Sequence, residues 1–150
     1  MKLQVVWITG RRGDKQSAIQ ELSNEYIKRL SRFVTIEAKS VSSEDTLLKM
    51  LEGTGSWAAP FVVLLDSRGK QFTSEEFAGF VEGHQSRGTQ VLLFAVCPAD
   101  GFSEEALRSA GQLLSLGKMT LPHELARVNL LEQLYRAFTI LKGHPYHSGH

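Results

Sequence analysis

Two runs of this chain are apolar at every position, Phe61-Val62-Val63-Leu64-Leu65 and Val91-Leu92-Leu93-Phe94-Ala95-Val96. Successive side chains of a strand point to opposite faces, so each run needs cover on both sides. A parallel sheet flanked by helices supplies that cover. Leu3 to Ile8, rich in β-branched and aromatic residues and closed by Thr9-Gly10, reads as a third buried strand.

The segments between these runs carry helical spacing. Ala18, Ile19, Leu22, Tyr26, Ile27 and Leu30 recur at three- and four-residue intervals, with Asp14 or Ser17 as cap candidates. Val34 to Ala38 is expected to be a second strand, and Glu44 to Leu51 a short helix after Ser42-Ser43. Gly53 to Pro60 reads as a connection. Thr73 with Glu76 predicts a capping box for a helix to about Arg87. Ser103, with Glu104 and Glu105 behind it, opens another short helix, and Leu113 to Leu121 contains a last strand. The βαβα alternation predicts an α/β sandwich with a mainly parallel sheet, in a single domain over residues 1–150 without internal repeat or linker.

The final helix, about His123 to Lys142 with Gly143 as its stop, has two apolar stripes. Leu125, Val128, Leu131, Tyr135 and Phe138 form one; Leu130, Leu134, Ala137 and Leu141 form the other. Together they are wider than one interface requires. Either the helix is central to the subunit, or one stripe packs on the sheet and the other on a second subunit.

A net charge of +1 argues against a generic polyanion binder. The single cysteine, Cys97, excludes an internal disulfide and a multi-cysteine zinc site, and fits a reducing compartment. No run reaches the roughly 18 apolar residues of a membrane span. A soluble, cytoplasmic protein without membrane attachment is expected. His144, His147 and His150 recur every three residues, but no matching carboxylate accompanies them and no metal is expected.

Ligands of open parallel sheets bind at the carboxyl ends of the strands. Three loops leave such ends here: Leu65 to Lys70, Val96 to Gly101, and Leu116 to Leu121. There is no Gly-x-Gly-x-x-Gly, which disfavours an ordinary dinucleotide site.

One ordered series of motifs covers nearly the whole chain: Glu25-Tyr26-Ile27-Lys28-Arg29-Leu30, Leu65-Asp66-Ser67-Arg68-Gly69-Lys70, Ser74-Glu75-Glu76-Phe77-Ala78, Leu121-Pro122-His123, Leu131-Glu132-Gln133-Leu134-Tyr135-Arg136-Ala137 and His144-Pro145-Tyr146-His147. The series resembles the bacterial family that methylates N3 of a pseudouridine in 23S rRNA, a branch of the SPOUT methyltransferases. The resemblance implies a C-terminal trefoil knot, a homodimer, S-adenosylmethionine as cofactor, and an assembled ribosome as substrate. It maps the cofactor onto the same three loops, through Leu65, Cys97, Pro98, Leu116, Gly117, Lys118, Met119, Thr120 and Leu121.

Cys97-Pro98 stands where family members usually carry Gly-Gly. Proline adds bulk and removes an amide donor, so weakened cofactor binding is one expectation. His123, Arg136, Tyr146 and His147 are the catalytic candidates by type and placement, with the tail reaching into the partner's pocket as the family's is thought to do. Each has a structural alternative: a cap for His123, a salt bridge for Arg136, packing for the tail residues. Arg11 and Arg12, in a loop, are the RNA-contact candidates, ahead of Lys28 and Arg29 at a helix end, where basic residues complement the helix dipole. His84 reads as a surface helix position. Two rivals stay open: a ribosome-binding dimer without catalysis, and an α/β nucleotide-binding module with another ligand.

Overall fold

The structure is a computed structural model that describes residues 1–9, 17–52, 59–96, 98 and 100–148. Arg11, Arg12, Asp14, Lys15, Cys97 and His150 lie outside the described residues. In chain order the elements are β1 (Lys2–Ile8), α1 (Ser17–Leu30), β2 (Thr35–Val41), α2 (Glu44–Leu51), β3 (Phe61–Gln71), α3 (Ser74–Ser86), β4 (Val91–Val96), α4 (Glu104–Ser109), β5 (Gln112–Ser115) and α5 (His123–Leu141). A single turn of 3-10 helix, Pro145–His147, follows.

The sheet has strand order β2-β1-β4-β3-β5, and every pairing is parallel. Its strands alternate between two cores. Leu3, Val5 and Trp7, Val63 and Leu65, and Leu92, Phe94 and Val96 meet α1, α3 and α5 on one face. Val6, Val62, Leu64, Leu93 and Ala95 meet α2 and α4 on the other. The doubly apolar runs are therefore the three central strands of a sandwich covered on both faces.

The strand expected to end near Asp66 continues to Gln71. Leu65 and Lys70 both stand opposite Leu114 of β5, so Asp66 to Gly69 make a detour between two stretches of pairing. Asp66 holds the detour by accepting from the Arg68 amide at 2.8 Å and from Arg68 Nε at 2.9 Å. Gly69 returns the chain against β5, where a Cβ would lie 2.5 Å from the Leu113 carbonyl carbon. Only glycine permits that approach. The helix after it starts on the expected capping box: Thr73 Oγ1 accepts from the Glu76 amide at 3.0 Å, and Glu76 Oε1 accepts from the Thr73 amide at 2.8 Å.

The division of α5 between sheet and second subunit is overturned. Val128, Leu131 and Phe138 of one stripe, and Leu130, Leu134 and Ala137 of the other, are all buried within the single chain, where α5 packs against both α1 and α3. Tyr135 and Leu141 pack at the margin of the same core, while Leu125 stays 49% exposed. A helix laid in the groove between two others on a sheet has neighbours on two sides, which is why it needs the wider apolar arc. The surface reading of His84 is overturned as well. It is 1% exposed, its ring 4.3 Å from that of Phe61 and 4.8 Å from that of Phe80.

Candidate active site

A cleft of about 800 Å³ opens at the carboxyl ends of β3, β4 and β5, a size suited to a nucleoside-like small molecule. The β3 detour lines it with Leu65, Asp66, Ser67 and Arg68, and β4 contributes Val96 and the loop residues Pro98 and Gly101. Leu116, Gly117, Met119, Thr120, Leu121 and Pro122 follow from the β5 exit, and His123 and Ala126 from the start of α5. Sequence reasoning thus found the cleft through the strand-end rule. Lys118 belongs to the same loop but is not among the lining residues. Asp66 and Arg68, named in the sequence only as part of the Leu65 to Lys70 loop, also line the cleft, as residues on the exit of a buried strand.

Pro98 does not close the cleft. Pro98 and Gly101 both line it, the Pro98 carbonyl accepting from the Gly101 amide at 3.0 Å and Gly101 taking φ +84°. The Asp66 carboxyl is held below its usual range by its hydrogen bond from Arg68, against the opposing effect of burial. His123 faces the cleft, with Nε2 3.2 Å from Glu124 Oε1.

The other three catalytic candidates are elsewhere. Arg136 is 13 residues beyond His123 on α5, or about 20 Å along a helix rising ~1.5 Å per residue. There it joins Tyr146 and His147 in one cluster. Glu132 Oε1, which the sequence reading did not single out, is the hub: it accepts from Arg136 Nε at 3.0 Å, Arg136 Nη2 at 2.6 Å and Tyr146 Oη at 3.2 Å. Arg136 Nη1 lies 2.8 Å from His147 Nδ1, and His147 Nε2 lies 2.8 Å from Glu75 Oε1 at the start of α3. The Tyr146 ring stands edge-on to Tyr135 at 4.8 Å and under the Arg136 guanidinium at 5.0 Å.

Burial, reinforced by hydrogen bonding to Tyr26 and by the charge of Glu132, pushes the Tyr146 hydroxyl up to about 12. It therefore keeps its proton at neutral pH and serves as a hydrogen-bond donor. Glu132 raises the Arg136 guanidinium through its hydrogen bonds, so that side chain stays cationic. The hydrogen bond from His147 lowers the Glu75 carboxyl. His144 Nδ1 accepts from the Tyr146 amide at 3.1 Å and fixes the turn on which the tail ends.

A parallel sheet with its cleft at the strand ends, walled by three strand-exit loops, defines a small-ligand-binding α/β protein. Comparison with known proteins then places it: the family described as "Predicted SPOUT methyltransferase" matches residues 1–147, and the chain belongs to that family. It is 59% identical over 150 residues to the ribosomal RNA large subunit methyltransferase H of Koribacter versatilis, covering 100% of both chains. The protein of the same name from Clostridium botulinum strain Langeland is 39% identical over 147 residues, with 89% of this chain and 92% of that one covered. Among solved structures, a probable methylase family protein from Haemophilus influenzae matches with a TM-score of 0.55 at 11% identity, over 95% of this chain and 66% of that one, a likeness of fold.

Proposed function

We propose that this protein transfers a methyl group from S-adenosylmethionine to N3 of a pseudouridine in 23S rRNA. One observation carries the reading: in a chain of this family, the three strand-exit loops enclose an open cleft with apolar walls at Leu65, Leu116, Met119 and Leu121. The residues present fit the cofactor. The β3 and β5 exits would supply apolar sides for an adenine, and the backbone of the 116–121 loop would supply amides and carbonyls. When bound, the cofactor supplies an electrophilic methyl on a sulfonium.

The chain's own residues do the rest. His123 and the β5 exit shape the mouth of the cleft. Alignment of N3 with the methyl is the main task, since a well-oriented pair gains on the order of 7–11 kcal/mol over free encounter. Arg136 as fixed cation is suited to holding a phosphate oxygen, and Tyr146, whose one hydroxyl proton goes to Glu132 Oε1, holds the cluster in place. Arg11 and Arg12 extend the RNA contact.

His123 at the cleft and Arg136 in the tail cluster are about 20 Å apart along α5, a separation that supports a homodimer in which the tail of one chain serves the cleft of the other. Two exposed apolar residues of the cleft lining fit that arrangement: Met119 at 86% and Leu121 at 38% exposure present surface that a partner would cover. The same reading includes one domain, a C-terminal trefoil knot, an assembled ribosome as substrate, and action in the cytoplasm. Among the described residues, no helix is long and apolar enough to cross a membrane.

Pro98 in the cleft wall favours the rival reading, a ribosome-binding dimer without catalysis. Isothermal titration with S-adenosylmethionine, followed by label transfer from methyl-tritiated cofactor to ribosomes lacking the modification, decides between them. Micromolar binding and label in one pseudouridine-containing 23S fragment are expected. No binding at millimolar cofactor, or binding without label transfer, overturns the proposal.

A further inference from the structure

The tail cluster reaches back to α3 through His147 Nε2 and Glu75 Oε1 at 2.8 Å, between residues 72 positions apart, as it reaches α1 through the hydrogen bond of Tyr146 with Tyr26. The other ring nitrogen faces Arg136 Nη1 at 2.8 Å. A guanidinium has donors only, so His147 Nδ1 is the acceptor and carries no proton in this arrangement. The ring proton is therefore on Nε2, where it is donated to Glu75. Both ring nitrogens are satisfied by a neutral imidazole in one tautomer, and a second proton on Nδ1 would point at the Arg136 cation.

Glu75 is well placed to impose this. The capping box sets the first turn of α3, and Ser74 Oγ donates to Gln133 Oε1 of α5 at 3.1 Å, which docks that turn on the helix carrying Arg136. The backbone that carries Glu75 is thus held, while its side chain, 66% exposed, is fixed by its contact with His147.

We infer that Glu75 is the positioning residue of the tail: by accepting from Nε2 it fixes the tautomer and the place of His147 before substrate arrives. The consequence for methyl transfer rests on the function proposed above, whereas the tautomer does not. Residues that orient a histidine through its second nitrogen set which nitrogen is available for chemistry.

The test uses the full chain with ring-15N histidine. In the wild type, the signal lost in His147→Ala should show a protonated Nε2 and an unprotonated Nδ1 at pH 7.5. Glu75→Leu should replace it with an averaged signal from two tautomers. The same variant should bind S-adenosylmethionine unchanged and lower kcat on ribosomes by about tenfold, the loss expected of a modest orienting contact, with KM little altered. Glu75→Gln, which keeps an acceptor oxygen, should retain the tautomer and most of the rate. In a His147→Ala background, Glu75→Leu should cost nothing further, as a coupled pair requires. Three results would overturn the inference: a wild-type His147 protonated on Nδ1, an unchanged tautomer in Glu75→Leu, or an equal loss from Glu75→Leu with and without His147. If the wild type transfers no methyl group, the function proposal fails and the spectra still decide the role of Glu75.

Discussion

His84 sits in the core beside two phenylalanine rings, its Nδ1 2.8 Å from Thr89 Oγ1 and its Nε2 3.2 Å from Arg87 Nη2. Arg87 can only donate, so Nε2 accepts and Nδ1–H is donated to Thr89. Burial, with the Arg87 charge adding to it, holds the imidazole below its ordinary value of 6.5. The unfolded chain then binds the proton first, so stability is full above about 6.5 and falls as pH drops below it, until the folded group also protonates. Urea midpoints at pH 7.5 and 5.5 should drop further for the wild type than for His84→Phe; equal drops would show that other groups set the dependence. Nothing in the sequence marked this position, since a histidine among charged and small helical residues looks exposed until β3 is packed beneath it. Glu132 was hidden for a related reason. A glutamate four residues before an arginine is the pattern of an ordinary surface helix pair, and only the returning tail turns it into a hub. Arg136, Tyr146 and His147 were legible because an ordered motif carried them; their contacts with Glu132 and Glu75 depend on three separate elements meeting.

At the scale of elements, strands with two apolar faces were legible because each face has its own core, and β1, β3 and β4 appear where their runs lie. Thr73 and Ser103 likewise mark their helices, because caps act within a few residues of chain. The detour in β3 was not legible. It exists because β5 pairs with β3 both before and after it, and such pairing is set by tertiary contact. Gly69 is the point on which it turns. Replacing Gly69 by alanine drives a methyl group into the backbone of Leu113 and Leu114, and should destabilise the protein by about 1–3 kcal/mol, the range for overpacking. Because the displaced detour walls the cleft, cofactor affinity should fall as well. Chemical denaturation and titration calorimetry check both; a stable variant with unchanged affinity would show that the detour is adaptable. The two stripes of α5 carry the opposite lesson. Their width was read correctly as two interfaces, but both are supplied by α1 and α3 of the same chain, and amphipathicity alone does not say whose surface covers a helix.

At the scale of the whole molecule, the fold separates two half-sites along α5. The start of the helix belongs to the cleft, while its far end, with Glu75 and the tail, holds Arg136, Tyr146 and His147 in a preset network. On the proposed function, both halves are needed to align an RNA base with a bound methyl donor. The proposed dimer would bring the tail cluster of one subunit to the rim of the other cleft, where it would cover Met119 and Leu121. Complementation in a mixed dimer tests the composite site most directly. One subunit would carry Leu116→Trp to fill the cleft, and the other would lack residues 145–150; each homodimer should be inactive on ribosomes. Co-expressed and purified through two different tags, the mixed dimer should regain methyl transfer at up to about half the wild-type rate, from its one intact composite site. A stable mixed dimer with no activity, beside an active wild type, would contradict a site shared between subunits.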